Sequence, residues 1–270
     1  MPQETVPQET LPPRIGRYVA LGSSMAAGPG IRPRAAGSPW RAMRSAGNYP
    51  HLIARRTGAD LVDVTYSGAT TAHLLTESQN GAPPQIQALD GTEDLVTITI
   101  GGNDVGYVPL LVAASLPPVA RTLPVIGPKL RALLDPGARE NAVERVAGSL
   151  REVGAAVRRR SPHARVMFVD YLTLLPPPEA RDQPLPAAAA ASARRVASRL
   201  AALTAAAASE TGCEIVAASQ ASRDHHPWSP DPWTTGPGLF VPWRPAPFHP
   251  TAAGMAAVAD LALARLTWAR

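Results

Sequence analysis

Short apolar runs alternate with longer stretches of helical period along this chain. Tyr18 to Leu21 is an apolar run ended by Gly22. Similar runs fall at 61–66, at Asp94 to Ile100, at Arg165 to Asp170 and at Glu214 to Ala217. Runs of this length, rich in Val and Ile and bounded by Gly or polar residues, predict buried strands. Between them, Val143, Val146, Leu150, Val153 and Val157 recur three and four residues apart, the stripe of a half-buried helix that begins at Asp135-Pro136. A helix opens at Asn48-Tyr49-Pro50 and closes at Gly58, with Asn as cap and Pro in the first turn. An Ala-rich helix covers 187 to about 211, and a last helix follows His249-Pro250, with Thr251 in its first turn, and runs to about Trp268. The stretch 106–136, apolar and broken by prolines, predicts a short helix plus a loop, and 28–47 predicts a loop. Strands alternating with helices predict an α/β fold with a five-stranded parallel sheet.

Two stretches stand outside this pattern. Residues 1–14 are polar and proline-rich and predict a disordered tail, leaving 15–270 as one domain with no sign of a second core. Residues 219–247 form a long irregular segment that holds Trp228, Trp233 and Trp243. A segment this long without regular structure is usually functional or disordered, and three tryptophans argue against disorder.

Composition narrows the function classes. The 270 residues are 45% hydrophobic and 17% charged, which suits a globular chain with a full core. The net charge of +5 and pI near 10 come from an Arg-rich composition whose one dense cluster, Arg158-Arg159-Arg160, closes a helix where cations suit the dipole. No nucleic-acid motif accompanies the charge, so no nucleic-acid partner is expected. Cys213 is the only cysteine, which excludes a disulfide within the chain. No apolar leader precedes the first strand, and no run approaches the about 18 apolar residues of a membrane span. These features predict a cytoplasmic location, with secretion left open if the N-terminus is trimmed. Oligomeric state is not specified.

The candidate chemistry lies where the strands end. The first strand runs into Gly22-Ser23-Ser24, the second into Ser67-Gly68-Ala69-Thr70-Thr71, and the third into Gly101-Gly102-Asn103-Asp104. In open parallel sheets ligands gather at these carboxyl ends. A serine hydroxyl needs a base before it attacks carbon, and His249, just ahead of the last helix, is the residue type for that work. The positive end of that helix disfavours imidazolium and keeps the ring neutral. Backbone amides of Ser24 and Gly68 and the side-chain amide of Asn103 are the right donors for an oxyanion.

These stretches resemble the conserved blocks of the SGNH, or GDSL-type, hydrolase superfamily, in family order over roughly 230 residues. Tyr18 to Ser24 is similar to block I, Gly68-Ala69-Thr70-Thr71 to block II, Gly101-Gly102-Asn103-Asp104 to block III, and His249-Pro250-Thr251 to block V. The resemblance implies a flavodoxin-like three-layer α/β/α sandwich and ester hydrolysis through an acyl-enzyme. It assigns Ser24 as nucleophile, His249 as base, and Ser24, Gly68 and Asn103 as the oxyanion hole. The substrate it implies is a small acyl ester or lipid, with no cofactor.

Two positions depart from the family pattern. Ser23 replaces the block I Asp, and Ala246 stands three residues before His249, where the family usually has an Asp. A backbone carbonyl from 244–247 is one substitute for that missing carboxylate. Weak or lost activity is the other outcome, as in a non-catalytic binding protein of the same fold. An acyltransferase using the same pair of residues is a further alternative. Asp104 is expected to brace its own loop. His73 and the tryptophans Trp228, Trp233 and Trp243 are candidates for a substrate pocket. Ser229 to Trp233 resembles a segment of actinobacterial-type secreted relatives, in which a cysteine usually stands at the position of Trp228. Asp224, His225 and His226 suggest a metal site on paper, but adjacent side chains rarely converge on one ion, so no metal is expected.

Overall fold

The computed structural model describes residues 15–180 and 183–267. The expected tail at 1–14 and the expected helix end at Trp268 lie outside the described residues. In chain order the elements are β1 (Arg17–Gly22), α1 (Ser24–Ala27), α2 (Tyr49–Thr57), β2 (Asp60–Asp63), α3 (Thr71–Leu75), β3 (Leu95–Thr99), α4 (Tyr107–Ser115) and α5 (Gly127–Leu134). There follow α6 (Pro136–Arg160), β4 (Arg165–Val169), α7 (Ala187–Glu210), β5 (Glu214–Val216), α8 (Ala218–Ala221) and α9 (Ala252–Thr267). The five strands form one parallel sheet in the order β2-β1-β3-β4-β5.

Side chains alternate between the faces of the sheet, and each face has its own core. Val19, Leu21, Val96, Ile98, Val166 and Phe168 face the layer built from α3, α4, α6 and α7. Tyr18, Ala20, Leu95, Met167 and Val169 face α2 and α9. This is the three-layer α/β/α sandwich. β3 is buried along its whole length, as a central parallel strand must be. One polar seam crosses the second core: the Tyr18 hydroxyl is 2.7 Å from Thr97 Oγ1, and the Tyr49 hydroxyl is 2.8 Å from Thr99 Oγ1. Burial pushes the Tyr49 phenol up to about 12, so it stays a neutral hydrogen-bonding group.

The region 106–136 holds more regular structure than the short helix and loop its prolines suggest. It contains α4, a 3-10 turn at Pro118–Thr122, and α5. Pro118, Pro128 and Pro136 fall in the first two positions of their helices, where a missing N–H costs nothing. A 3-10 turn at Trp40–Ala42 likewise interrupts the expected loop 28–47. Thr251 lies just ahead of α9 and accepts from Gly254 N at 3.1 Å, so it caps the helix instead of sitting in its first turn.

Candidate active site

Ser24 and Ser23 stand where β1 turns into α1. Gly22 makes the turn possible: a Cβ there would lie 2.6 Å from the Thr99 carbonyl oxygen. The Gln85 side chain clamps both sides of Gly22, accepting from its N–H at 2.7 Å and donating to its carbonyl at 3.0 Å. The two serines then part company. Ser23 is fully buried, with Oγ 3.0 Å from the Tyr171 hydroxyl, which also accepts from Gly102 N at 3.0 Å. Burial raises the Tyr171 phenol to about 12. Ser24 Oγ lies 2.8 Å from His249 Nε2.

His249 rides on a short antiparallel ribbon in which 233–236 runs beside 248–251. Thr251 N donates to Trp233 O and Thr235 N donates to His249 O, both at 2.9 Å. The turn that delivers the imidazole is 246–249. Phe248 there has φ +57° and a fully buried side chain, so packing holds a backbone conformation that a bulky residue seldom adopts. Thr235 Oγ1 pins the same turn, donating to Ala246 O at 2.6 Å and accepting from His249 N at 3.1 Å. The result is that His249 Nδ1 lies 2.7 Å from the carbonyl oxygen of Pro247, two residues back.

That contact fixes the chemistry of the ring. A carbonyl oxygen only accepts, so Nδ1 carries the proton and Nε2 is left as the acceptor for the Ser24 hydroxyl. Burial holds the imidazole below the ordinary histidine value, and the Pro247 carbonyl offsets this in part. Ala246, where a carboxylate would sit in the family pattern, is buried.

Gly68 has φ +81°, a conformation glycine adopts without strain. Among the described residues, neither the Ser24 nor the Gly68 N–H has an acceptor. Asn103 donates one amide hydrogen to Ala69 O at 2.8 Å, which ties the β3 loop to the β2 loop and leaves its second amide hydrogen available. Asp104 accepts from Thr71 N at 3.1 Å and Thr71 Oγ1 at 2.6 Å, the bracing expected of it. Gly101-Gly102 is small of necessity, since a Cβ on Gly102 would meet the Tyr171 ring at 2.2 Å.

Each of the four candidate pocket residues is held by local contacts or lies at the surface. His73 Nδ1 closes a capping box at the start of α3, accepting from Thr70 N at 3.1 Å. Trp233 stacks on His225 with ring centroids 3.9 Å apart. Trp228 and Trp243 are exposed. A cavity of about 560 Å³ opens beside the site, over the ends of β4 and β5, walled by Tyr171, Leu172, Leu175, Leu200 and Tyr107. Ser24 and His249 do not border it; Tyr171 stands between. His225 Nδ1 lies 2.8 Å from the Asp231 carbonyl oxygen, and among the described residues no three His, Cys, Asp or Glu side chains converge as metal ligands would.

Thr235 and Tyr171 were not visible as site residues in the sequence, and Pro247 only as one of the four carbonyls of 244–247. Pro247 acts through its carbonyl, which no residue type announces. Thr235 and Tyr171 are ordinary residues whose partners lie 11 to 148 positions away.

Residues 20–257 match the model of the GDSL-like lipase/acylhydrolase family. A protein of Streptomyces coelicolor named lipase 2 is 38% identical over 163 residues, 59% of this chain and 53% of that protein. A lipase of Streptomyces rimosus is 31% identical over 155 residues, 57% of this chain and 52% of that one. The chain thus spans about half the length of the curated relatives it matches. Among solved structures, phospholipase A1 from Streptomyces albidoflavus shares the fold with a TM-score of 0.75 at 24% identity, covering 93% of this chain and 98% of that one. The extracellular lipase of Streptomyces rimosus gives 0.69 at 25% identity, with the same coverages.

Proposed function

Because the chain belongs to the GDSL-like lipase/acylhydrolase family, we propose that it is a carboxylic ester hydrolase working through a Ser24–His249 dyad on small acyl esters or lipids. The observation that carries the reading is the relay from Ser24 Oγ to His249 Nε2 at 2.8 Å and from Nδ1 to the Pro247 carbonyl at 2.7 Å. His249 Nε2 takes the Ser24 proton as Oγ bonds to the acyl carbon. The carbonyl oxygen becomes an oxyanion held by the Ser24 and Gly68 amides and the free hydrogen of Asn103. The tetrahedral intermediate collapses, His249 returns the proton to the leaving alcohol, and Ser24 is left acylated. Water, deprotonated by the same imidazole, reverses these steps and releases the acid.

The Pro247 carbonyl does the orienting part of a triad carboxylate's work. It selects the productive tautomer and holds the ring, but brings no full charge to stabilise imidazolium. Fluorophosphonate labelling and hydrolysis of a short p-nitrophenyl ester test the assignment. Ser24→Ala should lose labelling and lower kcat by on the order of 10^5 to 10^6. Ser23→Ala, which removes only a bond to Tyr171, should keep most of both. Labelling that persists in Ser24→Ala and vanishes in Ser23→Ala would mean that the wrong serine has been assigned.

A further inference from the structure

We propose that the face at the carboxyl ends of the strands, which surrounds Ser24 and His249, docks on an anionic lipid–water interface. Eleven large apolar side chains are exposed among the described residues, and all lie on segments that leave from this end of the sheet. Ten of them fall on three segments: 28–47 and 236–247 on the α9 side of the site, and 105–134 on the α6 side. Val125 is 81% exposed and Val119 68% on one lip; Leu239 is 90% and Phe240 51% on the other. Among the described residues the amino ends of the strands present none. Apolar exposure concentrated at one end of the molecule marks an interaction surface rather than ordinary scatter.

Structure ties the lips to the catalytic pair. Ala246 N donates to Pro29 O at 3.0 Å, and Gly30 packs so tightly on the Arg244 carbonyl that a Cβ would overlap it. The 236–247 segment is therefore fastened to 28–47 within three residues of His249. On the other side, 105–134 leaves the rim beside Asn103 and returns to it where Arg139 donates to Val105 O at 2.8 Å.

Charge identifies the occupant. The three segments carry eight Arg or Lys residues and no Asp or Glu. The opposite end of the sheet mixes both signs, with Asp60, Asp90, Asp94, Glu210 and Glu214 among Arg17, Arg158, Arg159, Arg160 and Arg165. The asymmetry along the sheet axis is thus in exposed apolar area, and the three segments that carry it bear cations without carboxylates. Arg32 lies 5.8 Å from the Trp243 ring and Arg34 5.4 Å from Trp40, pairs with an apolar body and a cationic edge. Tryptophan and arginine so arranged suit the headgroup layer, where apolar insertion and attraction to anionic lipid add. A protein partner would need no such asymmetry along the sheet axis. The inference deepens the ester-hydrolase reading by naming where substrate is met, yet binding is measured without chemistry.

The experiment is flotation of the full-length Ser24→Ala variant with vesicles of phosphatidylcholine alone or with a quarter phosphatidylglycerol. Binding should be at least about tenfold tighter on the anionic vesicles and weaken with salt, since each nearby cation contributes roughly fivefold. Leu239→Ser with Phe240→Ser, and separately Val119→Ser with Val125→Ser, should each weaken it by about tenfold. Made with Ser24 intact, these variants should hydrolyse a soluble p-nitrophenyl ester at the parental rate, which shows them folded. Equal affinity for both vesicle types, or unchanged binding by both serine pairs, overturns the proposal. So does a dimer, seen by ultracentrifugation, that the serine pairs dissociate while vesicles go unbound. Binding without ester hydrolysis by the parent would defeat the hydrolase reading alone.

Discussion

At the scale of single residues, the base is the group with the most to reveal. His249 is tuned by burial, which lowers its affinity for protons, against the Pro247 carbonyl, which raises it, and burial is the larger effect. The base works only when neutral. A lowered proton affinity therefore keeps the dyad competent on the acid side of the ordinary histidine value of about 6.5. The acid limb of kcat/KM for a soluble ester, which reports the free enzyme, should have its inflection below that value. An inflection at or above it would mean that some acidic group faces the ring and overrides burial, as the absent carboxylate at position 246 would have done. Ser23 shows the converse lesson. It has the same hydroxyl as its neighbour, but full burial against Tyr171 leaves it no access to substrate.

At the scale of elements, the unit that matters is the ribbon carrying His249. Its turn contains a left-handed Phe248, so something outside the turn must hold it, and Thr235 Oγ1 does so from the facing strand. Thr235→Val keeps the shape and deletes both bonds. Losing about 1.4 kcal/mol of positioning should lower kcat roughly tenfold with little change in KM. Thr235→Ser should restore it, and the acid inflection should move in Val but not in Ser. An unchanged kcat in Val would show that Phe248 packing alone sets the turn.

The ribbon also shows where sequence reading stops. The five strands were legible because each is a short apolar run ending in Gly or a polar residue, and the long helices because a three-four stripe or an alanine run persists over many turns. Elements of four or five residues, such as α1, α3 and α8, are too short to display a period. The pairing of 233–236 with 248–251 is set by Thr235 and by the buried Phe248, neither of which makes a pattern. The Ser24 and His249 positions could be read because their loops have few residue types. The Pro247 carbonyl could be narrowed only to 244–247, because backbone direction is not written in side chains. The capping role of His73 was not legible, because a histidine after a Thr-Thr pair serves helix capping as well as it would serve a substrate.

Across the whole molecule, the two ends of the sheet have divided their tasks. The carboxyl ends hold the small, bent and strained positions: Gly22, Gly68, Gly101 and Phe248 all lie there at positive φ. The amino ends are knitted by charge-assisted bonds. Asp94 accepts from Gly16 N at 2.7 Å and Arg17 N at 3.1 Å. Arg165, at the start of β4, donates to both carboxylate oxygens of Glu214 at 2.7 and 2.8 Å and to the carbonyls of Leu266 and Arg265 at 3.1 and 3.0 Å. It thereby closes the last turn of α9, whose first turn follows His249. Arg165→Ala leaves those carbonyls and Glu214 without their donor. The loss should be about 1–3 kcal/mol, which for a chain of this size lowers Tm by roughly 2–4 °C for each kcal/mol. Because α9 is held along its length by Val258, Ala259 and Ala262 in the second core, kcat at 25 °C should be unchanged. Thermal melting followed by steady-state kinetics on the same sample separates the two effects. A fall in kcat with an unmoved Tm would mean that α9 transmits strain from one end of the sheet to the other, and that foundation and chemistry are coupled through it.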